Sequence, residues 1–179
     1  MAGSARIIER IVAWHYLLAL GSNRRHHRHG GPRQVLGAAI AALGSQVRAC
    51  SPVIVSAPLG PSQRLYANAA MILRSERDPA ALLDWLKAIE ARFGRRRGGR
   101  RWGERVLDLD IVLWQGGCWT SPGLVIPHIA FCDRSFVLAP AAAIAPRWRD
   151  PVSGLTLRQL AGRLRRRLTK PRPLPIGHA

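Results

Sequence analysis

Polar and hydrophobic residues alternate most regularly in the stretch Leu107-Asp108-Leu109-Asp110-Ile111. A period of two marks a strand with one wet face and one dry face. Asp108 and Asp110 then project from one face, and Leu107, Leu109 and Ile111 from the other. Upstream, Tyr16 to Leu20 is a short apolar run ended by Gly21-Ser22-Asn23, which predicts a buried strand entering a turn. Gln34 to Leu43 is rich in Ala and Leu and predicts a helix closed by Gly44. Cys50 to Val55 is strand-like until Ser56-Ala57-Pro58-Leu59-Gly60-Pro61 breaks it, and Tyr66 to Leu73 predicts the next strand. Asp78-Pro79 opens a second helix, with Asp78 as N-cap and Pro79 at the first helical position. Leu82, Leu86, Ile89 and Phe93 form its apolar stripe and Gly94 stops it. Val137 to Ile144 and Leu155 to Leu168 predict two further helices, the first broken by Pro146.

The order strand, helix, strand, strand, helix, strand predicts an α+β fold, a ferredoxin-like βαββαβ sandwich. Its antiparallel sheet carries helices on one face, an extra helical segment follows at the C-terminus, and the other face is free to hold ligands. By length, 179 residues predict one domain with a sizeable core. Residues 1–14 read as an N-terminal extension, 15–168 as the domain, and 169–179 as an irregular basic, proline-rich tail. The 47% hydrophobic fraction excludes a disordered chain. No apolar run reaches the length of a membrane span, and the start lacks the features of a signal peptide. Three cysteines without a CxxC pair argue against a disulfide framework and for a reduced cytosol.

Net charge changes the picture more. At +18 it predicts attraction to polyanions: nucleotides, nucleic acid or an anionic membrane. Almost all of it is arginine, which fits phosphate recognition and fits genome composition bias equally well. Arg95, Arg96, Arg97, Arg100, Arg101 and Arg105 crowd the glycine-containing stretch just before the alternating strand. Guanidinium forks match phosphate oxygens. Two carboxylates side by side repel unless a cation lies between them, and hard oxygen ligands at this spacing suit Mg²⁺ with substrate phosphates completing its shell. Together these describe a phosphoryl-transfer site. On spacing alone they equally describe an edge strand with a solvated acidic face beside a solvated basic loop. His26, His27 and His29 offer metal ligands in another loop, but the flanking arginines oppose a cation. Glu90 flanks the buried face of its helix, either snorkelling or facing a site.

Several segments in order resemble the 6-hydroxymethyl-7,8-dihydropterin pyrophosphokinase family of folate biosynthesis. They are Leu18-Ala19-Leu20-Gly21-Ser22-Asn23, Ser56 to Pro61, Tyr66-Ala67-Asn68-Ala69-Ala70, Ile89-Glu90, Arg101-Trp102-Gly103-Glu104-Arg105-Val106-Leu107-Asp108-Leu109-Asp110-Ile111, Ile126-Pro127-His128 and Arg134-Ser135-Phe136. The resemblance implies a diphosphotransferase that moves diphosphate from ATP to the pterin's hydroxymethyl oxygen and releases AMP. It implies that Asp108 and Asp110 hold two Mg²⁺ ions. It assigns Glu90, Arg95, Arg97, Arg101, Arg105, Ile111, His128 and Arg134 to ATP and its phosphates, with backbone groups near Ile111 meeting the adenine. Arg95, Arg105 and the two aspartates are the catalytic set. The pterin falls to Ser56, Ala57, Pro58, Leu59, Tyr66, Asn68, Trp102 and Phe136, with Tyr66 and Phe136 sandwiching the ring and the Asn68 amide reading its edge. No residue is required as a general base.

The chain departs from the family pattern at Ala57, where proline is common, and at Ile129, where an aromatic is common. The resemblance further implies a cytoplasmic monomer with small-molecule substrates, no membrane and no obligate nucleic acid. The rival from another class is a basic nucleic-acid-binding module on the same sandwich. Its aromatic central-strand motif is missing here, and Asp108 and Asp110 would repel a phosphate backbone without metal.

Overall fold

A computed structural model describes residues 12–57, 64–94 and 105–169 of the chain. In chain order the elements are β1 (Trp14–Ser22), α1 (Pro32–Leu43), β2 (Val47–Cys50), β3 (Ile54–Ser56), β4 (Tyr66–Ser75), α2 (Pro79–Arg92), β5 (Asp108–Trp114), the hairpin β6 (Trp119–Ser121) and β7 (Leu124–Ile126), α3 (Ser135–Ile144) and α4 (Leu157–Thr169). The main sheet runs β2-β4-β1-β5, with β3 also on β4, and the neighbours are antiparallel. β1 and β4 lie in its middle. That is why Tyr16, Leu17 and Leu18 are buried in succession, as is Ala67 to Leu73: a central strand with both faces covered loses the alternation that an edge strand keeps.

The predicted helix signals hold. Asp78 caps α2 by accepting from the Ala81 N–H at 2.8 Å, and Leu82, Leu86, Ile89 and Phe93 are all buried. Gly94 follows with φ of 82°, a left-handed backbone that ends a helix without side-chain strain. The strand expected from Cys50 to Val55 is instead split. Pro52 has no N–H to give to a ladder, and beside it the Ser51 hydroxyl stands in as an acceptor, taking the Ala70 N–H at 2.9 Å and donating to the Pro52 C=O at 2.9 Å.

Two cores flank the sheet. Tyr16, Leu18 and Leu20 of β1, the matching residues of β4 and β5, and the inner faces of α1 and α2 form the first. Leu17, Ala70, Ile72, Val112 and Leu113 form the second with α3 and α4. This corrects the expectation of helices on one face and a free opposite face. The second face is apolar along the row Leu17, Ile72 and Leu113, and Val137, Leu138 and Ala141 of α3 with Leu157, Leu160 and Leu164 of α4 cover it. The end around Gly21, Asn68, Asp108 and Asp110 instead carries polar side chains next to that covered row.

Candidate active site

Strand register assembles the polar end of the second face. Gly21 pairs with Asn68 on one side and with Asp108 on the other. Ala19, one pleat along, pairs with Ala70 and with Asp110. Cross-strand partners share a face, so Asn68, Gly21 and Asp108 make one row and Ala70, Ala19 and Asp110 the next. Small residues in the middle strand keep the floor low. A Cβ on Gly21 would stand 3.8 Å from both the Asn68 Oδ1 and the Asp108 Cβ. The third row, Ile72, Leu17 and Leu113, is already under the helices.

The two carboxylates sit as the alternation predicted, half-buried, while Leu107, Leu109 and Ile111 point into the first core. Burial pushes the Asp110 carboxyl above its ordinary value, and the charge of Asp108 adds to the rise; His128, Arg105 and Arg134 pull the other way. Such a pair is relieved by a cation placed between its members. Asp108 meets the Arg105 guanidinium at 2.6 Å. For Arg105, burial opposes its charge, but Asp108, Asp110 and Glu90 together hold it above its ordinary value.

Local structure places each cation. Asn23, just past β1, donates its N–H to the Arg105 carbonyl at 3.1 Å and accepts the Arg105 N–H on Oδ1 at 2.8 Å. This two-bond clamp sets where the arginine enters β5. Pairing between β1 and β5 slips at Leu17 and Leu18, which face Leu113 and Ile111. The extra residue is Val112, and its carbonyl accepts from the His128 N–H at 3.0 Å, which brings His128 alongside the strand. His128 Nδ1 accepts from Ala130 N–H at 3.2 Å, so in the neutral ring Nε2 carries the proton. Arg134 stands at the N-cap position of α3, and its carbonyl accepts from Val137 and Leu138.

Across the floor, Asn68 donates from Nδ2 to the Ser56 Oγ at 2.8 Å and is 5% exposed. Ser56 pairs with Tyr66 in the β3–β4 register. Phe136, half-buried on α3, packs against the second core, and α3 also touches β3. The structure thus gathers Asp108, Asp110, Arg105, His128 and Arg134 at one side of the polar floor and Ser56, Tyr66 and Asn68 at the other. Ile111 buries its side chain, which leaves only backbone for a ligand.

Glu90 approaches from the helix side of the sheet, and its charge is among those acting on Arg105. It is 2% exposed, and its Oε1 accepts from the Leu109 N–H at 2.7 Å. It therefore braces β5 from the helix side of the sheet. Pro58, Leu59, Arg95, Arg97, Arg101 and Trp102 fall outside the described residues. Sequence reasoning missed Asn23 and Gly21 as site-builders. The signal was present in Gly21-Ser22-Asn23, but a turn reading absorbed it. Among the described residues no group of three or more His, Cys, Asp or Glu is arranged to hold a metal ion. The pair Asp108 and Asp110 fits instead the mode in which phosphates complete the shell of Mg²⁺.

Carboxylates for a cation, guanidinium groups and an imidazole for phosphates, and an amide facing them over a flat floor make up the side-chain set of a phosphoryl-type transferase. The family model described as 7,8-dihydro-6-hydroxymethylpterin-pyrophosphokinase (HPPK) matches residues 17–146, and the chain belongs to that family. Its members transfer diphosphate from ATP to hydroxymethyldihydropterin in folate synthesis.

A 2-amino-4-hydroxy-6-hydroxymethyldihydropteridine pyrophosphokinase of Synechocystis is 44% identical over 117 residues, 65% of this chain and 60% of that protein. One of Pseudomonas aeruginosa is 40% identical over 139 residues, 75% of this chain and 82% of that protein. One of Methylorubrum extorquens is 36% identical over 152 residues, 82% and 91% respectively. The fold is shared with a crystal structure of Plasmodium falciparum HPPK-DHPS with pteroate, at a TM-score of 0.66 and 12% identity, over 88% of this chain and 43% of that one. The chain therefore spans less than half of that larger protein.

Proposed function

We propose that this chain transfers the diphosphate group of ATP to the hydroxymethyl oxygen of 6-hydroxymethyl-7,8-dihydropterin, releasing AMP, with Mg²⁺ on Asp108 and Asp110. One observation carries the assignment of roles: the charges of Asp108, Arg105, His128 and Arg134 act on Asp110 at the polar end of the sheet, across β1 from Asn68. In this reading Arg105, Arg134 and His128 bind the phosphates of ATP, and Arg95, Arg97 and Arg101 add to them. Mg²⁺, when bound, neutralises phosphate charge and acts as a Lewis acid on the transferred group.

The pterin lies over Asn68, Ser56 and Ala57, between Tyr66 and Phe136, and the resemblance adds Pro58, Leu59 and Trp102 to its contacts. The amide of Asn68 reads its donor–acceptor edge. The hydroxymethyl oxygen bonds to the β-phosphorus of ATP as the bridge to the α-phosphate breaks. AMP takes the bridging oxygen, and the hydroxyl proton passes to water. Little covalent work falls to the protein, so orientation and charge neutralisation carry the rate.

The strand order and antiparallel pairing support a ferredoxin-like plan extended by α3 and α4, within a domain over 15–168. A monomer in the cytoplasm is the setting that the resemblance implies; no helix among the described residues is long and apolar enough to cross a membrane.

The test is AMP release from ATP with and without the pterin and Mg²⁺, beside Asp110→Asn. AMP that forms only with both, and is lost in the variant, is the expected result. Folded protein that makes no pterin-dependent AMP overturns the reading. Asp110→Asn also removes a buried like-charge neighbour, so without metal its Tm should be equal to or above the parent's, and any Tm rise on adding Mg²⁺ and ATP should shrink.

A further inference from the structure

The family match ends at residue 146, and nothing in the proposed reaction uses the helix beyond it. α4 turns Leu157, Leu160 and Leu164 into the second core, leaving Arg158, Arg163, Arg165, Arg166 and Arg167 exposed. Beside it lies a groove of about 320 Å³ lined by Leu155, Arg158, Gln159, Gly162, Arg163 and Arg166. Gly162 adds no side chain to it; a Cβ there would meet a guanidinium nitrogen of Arg166 at 3.7 Å, an ordinary contact. Gln159 is already engaged, accepting on Oε1 from the N–H and hydroxyl of Thr156. Arg167 pairs with Asp133 at 2.8 Å. Among the described residues, Arg158, Arg163 and Arg166 have no acidic partner, and the first turn of α4 holds a cation and no acid, against the helix dipole. Three like charges converge on one concavity, which is costly without an anion.

We propose that this groove docks the phosphate backbone of a single-stranded nucleic acid, independently of base sequence. From Arg158 to Arg166 the helix rises about 12 Å, over which a stacked strand presents about three phosphates. A run of phosphates matches this row better than a lone anion does. An anionic bilayer matches it less well, because Leu157, Leu160 and Leu164 of α4 are buried in the core and only Leu168, in its last turn, is left exposed to insert. The lining has no aromatic ring on which a base could stack, so recognition stays with the backbone.

The experiment uses the full chain and a labelled oligouridylate, with affinity measured across salt. Neutralising three phosphates gives a log–log slope contribution of about −2, or about twentyfold weaker binding from about 50 to about 200 mM salt. R158Q/R163Q/R166Q should lose that contribution and keep its pterin-dependent AMP release. Gly162→Leu should fill the groove and weaken binding while raising Tm, since leucine is the better helix former; this separates loss of docking from loss of fold. Equal affinity and slope in parent and triple variant overturn the proposal, as does no binding by the parent at about 50 mM salt. Capture by phosphatidylserine vesicles that needs the three arginines, while the oligouridylate does not, overturns it in favour of a membrane surface. The affinity, salt-slope and Tm readouts do not depend on whether the pterin is the substrate.

Discussion

At the scale of single residues, the polar side chains with structural duties are those whose hydrogen bonds leave them no alternative place. Asn23 is 3% exposed, and its Oδ1 holds the Arg105 N–H while its Nδ2 has no partner among the described residues. Asn23→Ala removes the acceptor and strands a buried amide, which costs about 1–3 kcal/mol. Urea unfolding should read that loss, and because the Arg105 backbone is released, KM for ATP should rise as well.

His26 is 8% exposed, and its Nδ1 accepts from the N–H groups of Arg28 and His29, which requires the neutral ring. Burial lowers its pKa from 6.5, and His27, His29 and Arg28 lower it further. The unfolded chain then binds the extra proton more readily, so the stabilisation is complete above the ordinary value and is lost as pH falls through it. The Tm should therefore decline as pH falls below about 6.5. His26→Asn, which keeps an acceptor and cannot take up the proton, should flatten that decline.

At the scale of elements, the site depends on β5 being held from both sides. Asn23 clamps its entry, β1 pairs with its length, and Glu90 of α2 takes the Leu109 N–H. Glu90→Gln keeps an acceptor for that N–H, whereas Glu90→Ala leaves it buried and unpaired. The alanine variant should lose about 1–3 kcal/mol in chemical unfolding, with the glutamine variant retaining most of it. If Glu90 served only to meet a ligand, the two variants would unfold alike. The same scale explains the split of the expected Cys50–Val55 strand. Pro52 removes one ladder donor, and one residue earlier the serine hydroxyl, in place of a strand carbonyl, accepts the Ala70 N–H.

At the scale of the whole molecule, charge is the dominant feature. With +18 on 179 residues, the folded chain repels itself. Added salt screens that repulsion within about 10 Å at about 0.1 M. The Tm should rise with sodium chloride in the absence of substrates, in contrast to a protein held together by surface ion pairs. Scanning calorimetry across ionic strength is the check, and a falling Tm would show that attractive pairs dominate. The second core matters at this scale too. It anchors α3 and α4 on the face opposite α1 and α2, which leaves ligands one end of a face instead of its whole area.

How much of this was legible in the sequence depends on how local each cause is. Alternation around Asp108 and Asp110, the cap at Asp78 and the stop at Gly94 each rest on neighbours within a few residues, and the chain alone determined them. The string from Arg101 to Ile111 likewise carried the family. Contacts between residues distant in the chain were decided only by the tertiary structure. The pairing of Gly21 with both Asn68 and Asp108, the clamp of Asn23 on Arg105, and the seat of His128 on the Val112 carbonyl join segments 47 to 87 residues apart or set by a one-residue slip in register. The coverage of the second face was hidden for the same reason. Leu17, Ile72 and Leu113 look in sequence like parts of separate strands, and only their alignment in one row creates an apolar surface large enough to require α3 and α4. Local periodicity reports which side a residue faces; burial of that side is a property of the row it joins.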